Sequence, residues 1–189
     1  VYLGGPQFGA RYSAENFTIE EMKTWVDYCH LYGVDVHVTV NTLVKEKEIE
    51  SLKEYLKQLN KIGVDALIVQ DMGAVEIIKK TVPDMTLHAS TQMTVTSLEG
   101  VKYLEDMGFS RVVLARELSE KEIEHICKNA KAEIEVFVHG AICMCYSGQC
   151  LMSSILGGRS GNRGRCAQPC RLPYDLLENG KTVKSGYVL

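Results

Sequence analysis

The chain has 189 residues, 46% of them hydrophobic and 24% charged, with a formal net charge of -3. That is enough apolar material for one sizeable core, and the near-neutral balance gives no overall pull toward nucleic acid, so RNA contact would need a local basic patch. No apolar run approaches the ~18 residues that span a bilayer, and no basic segment leads into an apolar stretch at the N-terminus; a cytoplasmic protein with no membrane contact is expected.

The chain opens on an apolar strand-like run, Val1-Tyr2-Leu3-Gly4-Gly5, with no initiator methionine, and stops inside another, Gly186-Tyr187-Val188-Leu189, as a piece of a longer protein would. After a first strand at 1–3, Thr18 and Glu21 form a capping box, and Met22, Trp25, Val26 and Cys29 give the apolar stripe of a helix that ends at Gly33. A β-branched run predicts a strand at 35–40. The next helix, 46–62, carries Ile49, Leu52, Tyr55, Leu56 and Leu59 on one face and stops at Gly63. Strands at 66–69, 86–88, 111–114 and 135–138 then alternate with helices at 74–81, 97–107 and 119–129, the last opened by a second capping box, Ser119 with Glu122. Cys29 and Cys127 sit on helix stripes and read as small buried hydrophobes.

Regular strand–helix alternation implies parallel strands joined by right-handed crossovers. The spacing favours an α/β fold of the TIM-like (β/α) barrel type over a doubly wound sheet, since no Gly-x-Gly-x-x-Gly follows the first strand; the six strands make it a partial barrel. Three segments are expected: barrel portion 1–139, a Cys/Gly/Arg-rich loop 140–172, and a hairpin 173–189 turning through Glu178-Asn179-Gly180-Lys181 and capping that loop.

Five of the seven cysteines fall in this loop: Cys143, Cys145, Cys150, Cys166 and Cys170, spaced C-x-C-x4-C-x15-C-x3-C. Thiolates gathered among glycines and arginines suggest a soft-metal or iron–sulfur site. Zinc is the alternative, although only Cys166 and Cys170 have knuckle-like spacing. Glycines 140, 148, 157, 158, 161 and 164 would let backbone approach an inorganic core. A single catalytic cysteine near His139 competes with this reading, as does plain burial.

Two blocks in this region, Glu135-Val136-Phe137-Val138-His139-Gly140-Ala141-Ile142-Cys143 and Tyr146-Ser147-Gly148-Gln149-Cys150 with Ser153, resemble the signature of the peptidase U-32 family of collagenase-like peptidases. Tyr2-Leu3-Gly4-Gly5, Phe8-Gly9-Ala10-Arg11, Leu87-His88-Ala89-Ser90-Thr91-Gln92 and Asn162-Arg163-Gly164 before Cys166, with Cys170-Arg171, extend the likeness over the whole chain. The resemblance implies two activities: peptide or collagen hydrolysis, and a four-iron four-sulfur cluster supporting hydroxylation of RNA or of ubiquinone precursors. It also implies work as a homo- or hetero-oligomer or as a metal-bound scaffold subunit. Within it Cys143, Cys150 and Cys166 match cluster ligands, the fourth ligand is either Cys170, as in some relatives, or a cysteine beyond Leu189, as in others, and Cys145 stands outside.

No Gly-x-Ser-x-Gly or His-Glu-x-x-His motif supports hydrolysis, so an iron–sulfur RNA hydroxylase is the favoured reading and a protease the alternative. Candidate pocket residues are those expected at the C-terminal ends of strands: Arg11, Asn41, Gln70, Asp71, His88, Gln92, Arg116, Glu117 and His139. Arg159, Arg163, Arg165 and Arg171 surround the last two cysteines and could contact RNA phosphates or neutralise a cluster.

Overall fold

The computed structural model describes residues 1–140 and 143–187. Ala141 and Ile142 of the U-32-like segment, and Val188 and Leu189 of the terminal apolar run, lie outside the described residues. Six short strands, β1 (Tyr2–Gly4), β2 (His37–Val40), β3 (Ala66–Val69), β4 (Thr86–Ala89), β5 (Phe109–Val113) and β6 (Glu133–Glu135), form one parallel sheet in sequence order. Between them run α1 (Ile19–Leu31), α2 (Ile49–Lys61), α3 (Met72–Thr81), α4 (Leu98–Asp106) and α5 (Glu120–Asn129), a 3-10 turn at Glu46–Glu48 preceding α2. An order that never reverses is that of a (β/α) barrel wall, whereas a doubly wound sheet folds back on itself. Among the described residues β1 and β6 are not paired with each other, so the wall is open.

α1 and α5 start at the predicted capping boxes, whereas α3 starts at Met72, two residues before the expected Ala74, and α2 at Ile49, after a 3-10 turn that takes the expected first residues. Thr18 with Glu21 forms a reciprocal capping box, Ser119 N and Oγ both donate to the Glu122 carboxylate, and Asp71 and Ser97 cap α3 and α4. Gly33, Gly63 and Gly108 take left-handed φ of 66°, 84° and 82°, which turns each helix into the next strand without Cβ strain. Two stripe assignments change. Trp25 is 46% exposed, at the margin of the α1 stripe, where it meets Tyr28 edge-on. Cys127 faces solvent, because the buried position of α5 is its neighbour Ile126, about 100° away around the helix.

Register fixes the two faces of the sheet. Val38, Val40, Leu67, Val69, Leu87, Ala89 and Val112 point one way and pack with Met22, Val26, Leu52, Leu56, Leu59, Val75, Ile78 and Val101 of the helices. Each such aliphatic side chain contributes about 1.5–3 kcal/mol by leaving water. The opposite face carries His37, Thr39, Ile68, His88, Arg111, Glu133 and Glu135, the side that lies inside a (β/α) barrel.

The predicted strand 135–138 is displaced: β6 ends at Glu135, which accepts from Leu114 N, and Phe137 and Val138 beyond it are 50% and 93% exposed. Its neighbour β5 ends at Val113, paired with Glu135, so the ladder stops there. The Cys-rich segment contains α6 (Met152–Gly157), which no periodicity signalled, and 3-10 turns at Gly161–Arg163 and Pro169–Arg171. The hairpin forms as β7 (Tyr174–Glu178) and β8 (Lys181–Gly186), with Asn179 and Gly180 at φ 49° and 76°, as an Asn-Gly type I′ turn requires. Among the described residues, Leu176, Leu177 and Val183 of the hairpin are more than half exposed, and Tyr174 Oη donates to Pro169 O of the Cys-rich segment at its base.

Candidate functional site at the strand rim

The C-terminal ends of β2, β3 and β4 place Asn41, Gln70 and Ser90 side by side, since Val40 pairs with Val69, Val69 pairs with Ala89, and Ser90 N donates to Val69 O. Following the alternation of each strand, these three residues continue the inner face. Asn41 is fixed on three sides. Its Oδ1 accepts from Ala10 N at 2.9 Å, its Nδ2 donates to Ser90 Oγ at 3.4 Å, and its carbonyl accepts from Gln92 Nε2 at 3.2 Å. Ser90 Oγ also accepts from Gln92 N, opening the 3-10 turn Thr91–Met93. Gln70 is 8% exposed, and its Oε1 is buried without a partner.

The cysteine-rich segment docks on this rim at two places. At Gly148, with φ 74°, a Cβ would overlap Gln92 O; at Gly164, with φ 72°, it would lie 2.7 Å from Gly9 O and 2.9 Å from Ala10 C. These two glycines bring backbone against the rim itself, a different use from the expected approach to an inorganic core. Hydrogen bonds fasten the first contact: Ser147 N to Glu117 Oε1 at 3.1 Å, Thr94 Oγ1 to Ser147 O, and Gln149 Nε2 to Thr94 Oγ1 at 3.0 Å. Thr94 sits at φ 58°, a strained state for a β-branched residue that this network holds in place. At the second contact Leu43 N donates to Asn162 O, and Arg163 donates to Leu43 O at 2.6 Å and forks onto the Glu48 carboxylate. That guanidinium holds the Glu48 carboxyl below its ordinary 4.5.

Of the sequence-predicted site residues, Asn41 and Gln92 are joined directly. Glu117 reaches the same rim through Ser147, while Asp71 is absorbed by structure, capping α3 and accepting from Val44 N. Arg11 is exposed, its carbonyl accepting from Ala14 N and Asn16 Nδ2. Arg116 stands 6.0 Å over the Phe137 ring, and His139 is exposed beyond β6. His88 lies one layer deeper, in β4, its ring 4.6 Å from His37 and edge-on. Burial, then His37 and Arg111, push the His88 pKa down to about 4, so it is neutral at pH 7. Arg111 is engaged by Glu133, at 2.8 Å from Nε, and by Glu135. Sequence reading missed His37, Arg111 and Glu133; the polar–apolar alternation of His37-Val38-Thr39-Val40 was the available signal, since a strand buried on two apolar faces would be uniformly hydrophobic.

The four expected phosphate contacts are not equivalent. Arg163 is committed to Glu48, Arg165 stacks 4.0 Å over Tyr12, and Arg159 Nε donates to Arg165 O. As for the cysteines, burial and then Cys150 and Cys143 raise the Cys145 thiol. Cys166 Sγ accepts from Gln168 N, and Cys170 lies in the Pro169–Arg171 turn. Among the described residues no three Cys, His, Asp or Glu side chains converge as a metal site, so the donors as placed do not match the four-sulfur cage of an iron–sulfur cluster. The thiols share one segment without a common centre.

Fold and site together define a (β/α)-barrel-type protein whose strand-end rim carries a docked, thiol-rich segment. The chain belongs to Peptidase family U32, whose family model matches residues 1–189. It is 46% identical over 98% of its length to the 23S rRNA 5-hydroxycytidine C2501 synthase of Escherichia coli, covering 28% of that protein. It is 39% identical over 94% of its length to tRNA hydroxylation protein P1 of Bacillus subtilis, covering 42%, and 33% identical over 94% to a collagenase of Porphyromonas gingivalis, covering 45%. The chain thus spans less than half the length of these curated relatives. A solved U32 peptidase structure, 22% identical, aligns with a TM-score of 0.61 over 76% of this chain and 61% of the other, which supports the barrel-type fold. No helix among the described residues is long and apolar enough to cross a membrane.

Proposed function

We propose that this chain is the substrate-facing barrel portion of a cytoplasmic RNA-hydroxylating enzyme, its rim receiving a base of tRNA or rRNA and its cysteine-rich segment serving the redox chemistry. One observation carries the reading: a thiol-rich segment is seated by backbone contact and side-chain ties on a rim of neutral amides, Asn41, Gln70 and Gln92. The names of the E. coli and B. subtilis relatives agree with it. Hydroxylation needs an oxidising centre beside a pocket that orients an uncharged ring, and strand ends of a barrel are where such pockets form. In this reading Cys143, Cys150, Cys166 and Cys170 are the thiolates assigned to a four-iron four-sulfur cluster; because they do not converge as placed, no chemical step is derived through it. The work assigned to this chain's own residues is positional: Asn41 and Gln92 hold the rim, while Glu117, Thr94 and Arg163 hold the segment over it.

Among the described residues no hydrogen bond joins a serine or cysteine side chain to a histidine, so no Ser–His or Cys–His pair speaks for peptide hydrolysis. The deciding experiment purifies the full-length polypeptide without oxygen and measures iron, acid-labile sulfide and gelatin cleavage, alongside nucleoside mass spectrometry of RNA from a deletion strain. Iron and sulfide in near-equal amounts and loss of one hydroxylated nucleoside are expected. An unchanged nucleoside profile together with gelatin cleavage would replace this reading with the protease.

A further inference from the structure

Two buried side-chain polar atoms among the described residues lack a hydrogen-bond partner, Tyr55 Oη and Gln70 Oε1. The first lies inside the core beneath Gly5, where a Cβ would overlap the hydroxyl. Gln70 is different, because it stands at the strand rim between Asn41 and Ser90. An amide oxygen sealed from water with no donor is unfavourable, so its presence at a strand end points to a donor that arrives with a ligand.

We propose that Gln70, with Asn41 and Gln92 beside it, reads the hydrogen-bonding edge of a nucleobase turned out of single-stranded RNA; the inference rests on the RNA reading above. The chemistry of the set selects the ligand. Asn41, Gln70, Ser90 and Gln92 are all neutral, which suits a ring edge with adjacent donors and acceptors and is ill-matched to a phosphate or carboxylate, which call for Arg, Lys or a helix N-terminus. Gln70 Oε1 accepts from a ring or exocyclic N–H. Asn41 Nδ2 has a second hydrogen beyond the one it gives Ser90, available to a base carbonyl. The Asn41–Ser90 bond bridges β2 to β4 past the end of β3, where Gln70 sits, and at 3.4 Å it is long. Opening of that one weak bond is the rearrangement required for a base edge to meet Gln70.

The test uses full-length protein and labelled single-stranded RNA carrying at one position a pyrimidine, a purine or an abasic sugar, followed by fluorescence anisotropy. Wild type should bind the base-containing RNA about tenfold more tightly than the abasic one. Gln70→Leu should lose most of that difference while its thermal midpoint stays level or rises, because a buried unpaired amide is gone; a Gln that served structure alone would lower the midpoint and leave base preference intact. Gln70→Met, near in shape and also lacking the amide, repeats the measurement if the leucine variant folds poorly. Unchanged base preference in the variants overturns the assignment of Gln70 alone. A wild type that binds base-containing and abasic RNA equally, or neither, overturns the RNA reading together with it.

Discussion

Replacing Gly148 by alanine tests whether the cysteine-rich segment is held on the rim by close backbone approach. Its φ of 74° costs an L-residue about 1–2 kcal/mol. The new Cβ would also overlap Gln92 O, 3.0 Å from that residue's carbonyl carbon and 3.1 Å from its Cα. These are backbone atoms of a hydrogen-bonded turn, so no rotamer change relieves the overlap and the segment must lift by about 1 Å to reach ordinary contact. The ties at Ser147 N–Glu117, Thr94–Ser147 O and Gln149–Thr94 then stretch out of range. At about 1 kcal/mol each they amount to roughly 3 kcal/mol. Gly33 is the control: its φ is 66° with nothing within 4 Å of its Cβ position, so Gly33→Ala meets only the conformational cost. Thermal unfolding should show a loss of about 2–8 °C for Gly33→Ala. Gly148→Ala should either lose several times more or release the segment locally, read as faster maleimide labelling of Cys143, Cys145 and Cys150 with the sheet intact. If the two variants match in both midpoint and labelling rate, docking by close approach is wrong.

Arg163→Ala removes both the fork onto Glu48 and the bond to Leu43 O, and should cost about 2 kcal/mol at pH 7 in denaturant unfolding. Because Arg163 lowers the folded Glu48 pKa, that contribution is present above the ordinary 4.5 and is lost as pH falls through the folded value, so the gap between variant and wild type should close on acidification. His88 titrates with the same sign but in a higher pH window. With a folded pKa near 4 against an ordinary 6.5, the unfolded chain takes up a proton that the folded one refuses; wild type should lose stability as pH falls from 6.5 toward 4, and His88→Phe should flatten that stretch of the profile. Tyr55→Phe deletes a buried hydroxyl with no partner and should leave stability level or raise it by about 1 kcal/mol, measured by denaturant midpoint at constant slope.

The strand–helix order was legible because each junction has its own local chemistry: Thr18 and Ser119 with glutamates three residues on, and Gly33, Gly63 and Gly108 where a left-handed turn is needed. The end of β6 was not, because Val136-Phe137-Val138 has every local mark of a strand and only the absence of a paired neighbour ends it. The rim followed from strand ends alone, which brought in Asn41 and Gln92 correctly placed but also Asp71, whose carboxylate is spent on a helix cap. Docking was hidden for a different reason. A glycine that faces backbone 56 or 155 residues away, as Gly148 faces Gln92 and Gly164 faces Gly9, carries no local signal of its partner.

The same contacts bear on how RNA could be engaged. A half-buried arginine forked onto Glu48 cannot turn to a phosphate without giving up that fork, so Arg163 belongs to the mounting of the segment. Arg165 is exposed and stacked on Tyr12, which remains compatible with phosphate contact, since ring stacking uses only the face of the guanidinium. Phosphate attraction would then act at the outer margin of the rim, while its floor of neutral amides lies on the inner face of β2, β3 and β4. This separation of charge from amide is what a site needs if backbone contacts are to position a strand and a buried uncharged edge is to choose the base.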